Sequence, residues 1–433
     1  MKAQILCIGD IHLGNRPSRL PEDIGDYGID TSELTPIAAW RSAVNWAIEN
    51  DIDAVLLAGD VVENDDDRFE AYGHLKWGVE KLLAMDIPVL GVAGNHDYKA
   101  LPRLAAQIPD FLLIGKNGEW EVVEEELKNG SRIRIVGWSF QGRYCREDPL
   151  RELELQEDRE IPTLGLLHCD LDAAGSRYGP VSTAELERVP VDAWLLGHIH
   201  KPSLLSGPRP IGYLGSLSGL DPGEPGPHGP WLLTVDGPGS VAIRHLPMAR
   251  MRWENIDLPL TGITGDAGEE LEESVFGALI QALEKIHQNV GEPVLPPVAV
   301  GCRLTLIGRS KYHSRIMNII REKRYPGLPA EHTYYFIDKV IDQASPDLDI
   351  SRLVGGKDLP SVLARYLKGL EDDAPFSRGL VEKARHELRR LDGSARWAEV
   401  SRKDFDPSEA VKELLLKTGT RALEELLEQS DEN

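Results

Sequence analysis

Short apolar runs that end on glycine recur through the first two-fifths of the chain, with amphipathic segments between them. Ile5 to Ile8, Ala54 to Leu57 and Val89 to Val92 predict buried strands, each entering a Gly-rich turn. Between the first two, Thr35 and Pro36 supply an N-cap and a first-turn proline for a helix over Ile37 to Ile48. That alternation is the rhythm of βαβ units. Further strands are predicted at Arg132 to Val136, Thr163 to Leu167, Ala193 to Leu196, Trp231 to Val235 and Val241 to His245, giving a mixed sheet layered with helices.

The pattern changes near Met251. A strand at Trp253 to Leu258, a helix at Leu271 to His287 and an apolar strand at Val298 to Ile307 predict a second domain. From Leu359 the chain reads as helices, the last over Ser408 to Gln429, with Val411, Leu415, Ala422 and Leu426 on one face and Gly419 inside it. Asp221 to Pro230 carries four prolines and three glycines in ten residues, so it is neither helix nor central strand and reads as a rim loop. The expected division is 1–250, 251–358 and 359–433, without internal repeats. A chain of 433 residues agrees with the two to three domains that roughly 150 residues per domain implies.

Charge narrows the picture only a little. Against 71 Asp and Glu stand 48 Lys and Arg, a net charge of −23, which excludes coating nucleic acid or anionic lipid through bulk charge but leaves room for a local basic stripe or a metal cluster. Cys7, Cys145, Cys169 and Cys302 form no C-x-x-C pair, so neither a zinc ribbon nor a disulfide framework is indicated, and a reducing, cytoplasmic compartment is expected. The N-terminal apolar run closes on Asp10 and is too short for a secretory leader. No apolar run approaches the roughly 20 residues of a membrane span, so no membrane partner is expected.

Five strings place hard oxygen or imidazole donors directly after an apolar strand: GDIHLG at Gly9 to Gly14, GDVVEN at Gly59 to Asn64, GNHD at Gly94 to Asp97, His168, and GHIH at Gly197 to His200. In an open α/β sheet the carboxyl ends of the strands converge on one edge, so Asp10, His12, Asp60, Asn95, His168, His198 and His200 can share one crevice. Mixed carboxylate, amide and imidazole donors suit manganese, iron or zinc better than calcium, and the inventory is enough for two ions with a bridging carboxylate. Gly9, Gly59, Gly94 and Gly197, each one residue before a candidate ligand, allow a sharp turn and close approach of the backbone. Singly, each string is an ordinary turn or cap, and His168 an ordinary core histidine. Jointly, five strings in this order at strand ends point to a metal centre.

With these strings the chain resembles the calcineurin-like metallophosphoesterase superfamily, whose motif order is D-x-H, G-D, G-N-H-D, H and G-H-x-H; the resemblance spans about residues 4 to 246. It implies an α/β fold, a four-layer sandwich of mixed sheets flanked by helices, followed here by a C-terminal α+β capping domain and a helical tail. Position by position, Asp10, His12 and His200 would hold one ion, Asn95, His168 and His198 the other, and Asp60 would bridge them. Two divalent ions, Mn2+ foremost, are implied as cofactors. His96 resembles the family's catalytic histidine, which protonates the leaving group, and Asp97 would orient it. Its neighbours Asn95 and Asp97 place His96 beside the metals while leaving it free of ligation.

Finer features bear on the phosphoester. Leu13 and Gly14 after His12, the GHIHKP string ending in Lys201 and Pro202, and the Gly215-Ser216 turn resemble bacterial SbcD-like DNA-repair exonuclease subunits; Tyr178 to Ser182 resembles the YhaO-like branch. This implies a nuclease, exonuclease or endonuclease, acting on DNA with an SbcC-like coiled-coil ATPase gripped by C-terminal helices, a homodimer remaining open. Two departures stand out. Glu63 occupies the place of a second active-site histidine three residues after the bridging aspartate, and Leu214 that of a proline.

In the second domain, Arg309, Lys311, Arg315, Arg321, Lys323 and Arg324 form a basic segment against a single acid, Glu322, that suits a phosphate backbone. The same segment also reads as an amphipathic helix with Ile316, Ile319 and Ile320 inward. A phosphatase or phosphodiesterase of nucleotides or small phosphoesters, and a metal-bearing scaffold for the ATPase, are the alternatives to a DNA hydrolase.

Overall fold

The computed structural model describes residues 2–64, 68–158, 160–265, 268–289, 294–322, 328–330, 333–392 and 407–431. It divides into two compact units, the first comprising Met1–Asn255, His287–Arg303 and Pro326–Asp338, the second Ile256–Ile286, Leu304–Tyr325 and Lys339–Asn433.

The first unit is built on two sheets. Strands β1 (Ala3–Ile8), β2 (Ala54–Leu57), β3 (Val89–Gly91) and β4 (Phe111–Leu113) run parallel, linked by helices α1 (Pro36–Glu49), α2 (Arg68–Leu83) and α3 (Ala100–Ala105). The second sheet receives β5 (Glu121–Glu126), β6 (Arg132–Trp138) and β7 (Thr163–His168). The short pair β8 (Asp170–Leu171) and β9 (Pro180–Val181) and the capped turn α4 (Thr183–Leu186) lead to β10 (Ala193–Gly197) and β11 (Ile211–Tyr213). Finally β12 (Trp231–Val235) and β13 (Val241–His245) return antiparallel to the first sheet, fixing the orders β13-β12-β1-β2-β3-β4 and β11-β10-β7-β6-β5.

Burial on both faces explains why these strands read as continuous apolar runs. Ile5, Cys7, Leu56 and Leu90 of one sheet and Ile135, Leu164, Leu166 and Leu195 of the other fill the layer between them. The opposite face of the first sheet, with Leu6, Val55 and Val89, packs on Trp40, Val44, Leu75 and Val79 of the helices. Mixed sheets flanked by helices are therefore the observed fold, as expected. The predicted strand Ala54 to Leu57 and the two strands of the β12–β13 hairpin have the bounds read from the sequence. Within these two sheets β4, β5 and β11 are not predicted by the sequence pattern, nor are the short pair β8 and β9 or, beyond the sheets, the strand Thr333–Asp342.

The second unit holds α5 (Glu269–Asn289) in large part, α6 (His313–Glu322), α7 (Ile350–Leu353), α8 (Leu359–Glu371), α9 (Pro375–Asp392) and α10 (Pro407–Asp431). In α10 the packed stripe matches the expected one at Val411 and Leu415 and departs from it after Gly419. Val411, Leu415, Leu423 and Leu427 are the packed apolar positions, while Ala422 is exposed. Gly419 lies in register with them: a methyl group there would stand 2.6 Å from Leu367 of α8. The helix keeps one uninterrupted i, i+4 face because the glycine lets Leu367 in. Among the described residues no helix is long and apolar enough to cross a membrane.

Candidate metal centre

The carboxyl ends of β1, β2, β3, β7 and β10 open on one edge, and all seven expected ligands lie there. The loops after β1 and β2 are joined by their own backbone: His12 donates its amide to Asp60 O at 3.0 Å, Leu13 to Val61 O at 2.9 Å, and Glu63 to Leu13 O at 3.1 Å. His12, Asp60 and His198 have positive φ of 55°, 47° and 105°, a conformation rare for non-glycine residues and concentrated at functional sites. Gly94 is required by space: a Cβ there would meet Asp60 Oδ1 at 2.1 Å.

The expected donors form two groups, Asp10 with His12 and His200, and Asp60 with His168 and His198, the ligand atoms of each within 4.8 Å of one another; His12 with Glu63 and His96 makes a third such group beside them. Asn95 Oδ1 is 3.0 Å from His168 Nε2, and Asp60 Oδ2 is 3.3 Å from that nitrogen and 3.9 Å from His12 Nε2, so Asp60 stands between the groups. Asp10, Asp60 and His168 are fully buried.

A second layer fixes how these rings point. His168 Nδ1 faces the Ala58 carbonyl at 3.1 Å, His12 Nδ1 the Glu63 carboxylate at 2.8 Å, His200 Nδ1 Glu224 at 2.6 Å, and His198 Nε2 Asp170 at 3.2 Å. With the nitrogens of His168 and His200 donating, their other nitrogens present lone pairs inward, as metal-ligating histidines do, and the Glu63 carboxylate close to His12 Nδ1 favours the same tautomer there. His12 Nε2 and His200 Nε2 then face each other at 3.0 Å, an arrangement that needs a positive charge between them. The residues present fit a pair of divalent ions. Sequence reasoning missed Asp170 and Glu224 altogether. Glu224 sits in the proline-rich loop, whose backbone position is fixed by buried His228, Nε2 to Glu224 O at 2.9 Å.

The electrostatics follow from crowding charge into a dry site. Burial opposes the charged form of His168, but Asp60 and Asp10 outweigh it and hold the pKa up at about 9. Burial likewise opposes His200, which Glu224, Asp10 and Asp60 keep at about 9. His198 is pushed down to about 4 by burial and by His168. Burial works against the Asp60 carboxylate, yet His168, His12 and His96 hold it well below the ordinary range.

His96 borders the same crevice, its amide donating to Asp60 Oδ1 at 2.9 Å. The resemblance assigned Asp97 to orient it. In the structure Asp97 is buried, with Oδ2 accepting from the amides of Val61 at 2.7 Å and Val62 at 3.3 Å and Oδ1 from Gly94 at 2.7 Å. It ties the two ligand loops together instead. Burial and the Asp60 charge push Asp97 up to about 7 against the Gly94 amide, His168 and the Val61 amide. The orienting part falls to Glu63, whose carbonyl oxygen is 3.0 Å and Oε1 3.6 Å from His96 Nδ1. That contact raises the His96 pKa, while His12 foremost, and His96 with it, hold Glu63 well below the carboxylate range.

Of the basic segment, Arg309, Lys311, Arg315 and Arg321 are exposed, while Ile316 and Ile320 are buried and Ile319 half-buried on α6. These residues belong to the second unit; Lys323 and Arg324 lie outside the described residues.

Residues 3–202 match the model of the calcineurin-like phosphoesterase family. An uncharacterized metallophosphoesterase, YhaO, of Bacillus subtilis is 28% identical over 261 residues, 58% of this chain and 62% of its own. The DNA double-strand break repair protein Mre11 of Methanosarcina acetivorans is 24% identical over 309 residues, 66% of this chain and 44% of its own. That of Aeropyrum pernix is 25% identical over 301 residues, 66% and 69% of the two chains. The match thus spans less than two thirds of the length of the first two relatives. The motif order, the layered sheets and the paired donor groups in one crevice accompany this similarity of residues 3–202, just under half of the chain, to the calcineurin-like phosphoesterases.

Proposed function

We propose that this protein is a two-metal phosphodiesterase acting on DNA, an SbcD-like nuclease subunit that works in double-strand-break repair with an SbcC-like coiled-coil ATPase in the cytoplasm. The observation that carries the reading is the convergence of two donor groups on Asp60 with His96 beside them. Asp10, His12 and His200 would hold one ion, Asn95, His168 and His198 the other, and Asp60 both. Manganese suits this mixture of carboxylate, amide and imidazole. When bound, the ions supply the positive charge that activates water and neutralises the phosphate.

The chain's own residues do the rest. Asp170, Glu63, Glu224 and the Ala58 carbonyl orient the ligating rings. His96, with Nδ1 engaged by Glu63, keeps Nε2 for delivering a proton to the departing alkoxide, and the Glu63 contact raises its pKa, favouring the protonated form. Asp97 holds the loops that carry Asp60 and Asn95 in register. The region from 251 is assigned to capping and DNA contact through Arg309, Lys311, Arg315, Arg321, Lys323 and Arg324, and the helices from 359 to the ATPase. Similarity to Mre11 over 66% of the chain supports DNA as the substrate.

A second reading, hydrolysis of nucleotides or small phosphoesters, is favoured by Glu63, a carboxylate on the wall of the cavity beside His96. Turnover in manganese of linear duplex and single-stranded DNA, against para-nitrophenyl phosphoesters, separates the two. DNA cleavage supports the first reading; ester turnover with intact DNA supports the second.

A further inference from the structure

An aromatic and cationic track leaves the metal centre in the first unit, and neither the metals nor His96 account for it. The Tyr178 ring lies 4.9 Å from His198, and Tyr144 lies 5.7 Å beyond Tyr178. The guanidinium of Arg177 stands 4.9 Å from the centroid of Tyr144, and that of Arg143 6.0 Å. Arg143 also lines a cavity of about 420 Å³ whose other walls include Asn95, His96, Tyr98 and Lys99, with the Lys99 ammonium 5.3 Å from the Tyr98 ring. The track and the cavity thus meet at Arg143, next to the catalytic histidine.

Its backbone is built, not incidental. Cys145 donates to Arg177 O at 2.8 Å and Gly179 to Cys145 O at 2.8 Å, so the segments bearing the two tyrosines are locked side by side. Tyr144 is 48% exposed, and Arg143, Arg177 and Lys99 are exposed too, in a chain whose net charge is −23. Asp170, a carboxylate beside the start of the track, is turned to His198 and Ser176. Alternating aromatic faces and cations along a line suit an unpaired nucleic-acid strand, whose bases stack while its phosphates meet the cations. In a duplex the base faces are already covered.

Resting on the reading as a DNA hydrolase, we infer that Tyr144, Tyr178, Arg143 and Arg177 form the binding track for a single-stranded DNA segment whose scissile phosphate lies at the metals. The test is the ratio of kcat/KM for a thymine oligonucleotide to kcat/KM for bis-para-nitrophenyl phosphate, with manganese, in the full chain. Tyr144→Ala and Arg177→Ala are each expected to lower that ratio about tenfold, the loss of one stacked base or its cation partner, while Tyr144→Phe retains it. Binding of the labelled oligonucleotide, read by fluorescence anisotropy, is expected to weaken in parallel for Tyr144→Ala. A wild type that cleaves the oligonucleotide, with both alanine variants keeping its ratio and affinity, overturns the track alone. A wild type that turns over the ester but leaves DNA intact overturns the DNA reading and the track with it.

Discussion

His12 Nε2 and His200 Nε2 point at each other across 3.0 Å, while Glu63 and Glu224 hold the opposite nitrogens of the two rings. Two imidazole lone pairs repel at that distance, so a proton or a metal ion must lie between them. The two compete. Because His168 and His200 are held at about 9, ions enter the centre at neutral pH by displacing protons. Affinity for manganese should therefore rise with pH up to about 9 and fall below it, with protons released on binding. Calorimetry in buffers of different ionisation enthalpy checks this; binding without proton release at pH 7 contradicts it.

The carboxylate behind His200 should matter nearly as much as the ligand. Glu224→Gln is expected to weaken metal affinity about 10–100-fold, the usual consequence of losing an orienting partner. Unfolding temperature in chelator and metal titration distinguish loss of orientation from loss of fold.

Gly94 leaves room for Asp60. Gly94→Ala would place a methyl group 2.1 Å from Asp60 Oδ1 and 2.7 Å from its amide. The variant should purify folded but short of metal, which elemental analysis and circular dichroism together will show. Full metal content would mean that the loops move apart easily.

His96→Ala should lower turnover about 10²–10⁴-fold while leaving metal content intact, as for loss of a proton donor that is not a ligand. A variant that loses metal instead would make His96 a ligand.

In the second unit His313 on α6 is buried between Glu424 of α10, 2.9 Å from Nδ1, and Asp342, 3.2 Å from Nε2. Burial opposes its charge, but the two carboxylates raise its pKa above 6.5; burial likewise opposes Glu424, which His313 and Ser314 lower from 4.5. The raised histidine contributes its full stability below 6.5 and loses it as pH rises through the folded value. The lowered glutamate contributes above 4.5 and loses it as pH falls. Opening of α6 and α10, measured by hydrogen exchange, should thus cost most between these two values, and Glu424→Gln should flatten the profile. A flat profile in the wild type contradicts the pairing.

The strand ends, and the donors that gather beyond them, were legible because Asp10, Asp60, Asn95 and His198 each join two independent signals, an apolar run and a glycine before the donor. The acidic strand β5, EVVEEE, was not, since glutamate is depleted in strands. It forms at the sheet edge, antiparallel to β6, where Glu124 and Glu126 oppose Arg134 and Arg132. The supporting carboxylates were illegible for another reason. Asp170 and Glu224 follow no motif, and their function depends on which ring the fold brings to them. Glu63 was visible as a departure, but its contacts with His12 and His96 depend on the zipped loops, and the same loops claim Asp97. The helix was read through Gly419, but the reason for a glycine there was not legible, because its packing partner, Leu367, lies on another helix.

The most direct test of the account is a crystal structure of the protein grown with manganese, phased at the manganese edge. Two peaks about 3.5–4 Å apart, with Asp60 touching both and the six other donors divided between them, are predicted. A single peak, or two peaks without Asp60 between them, would contradict it.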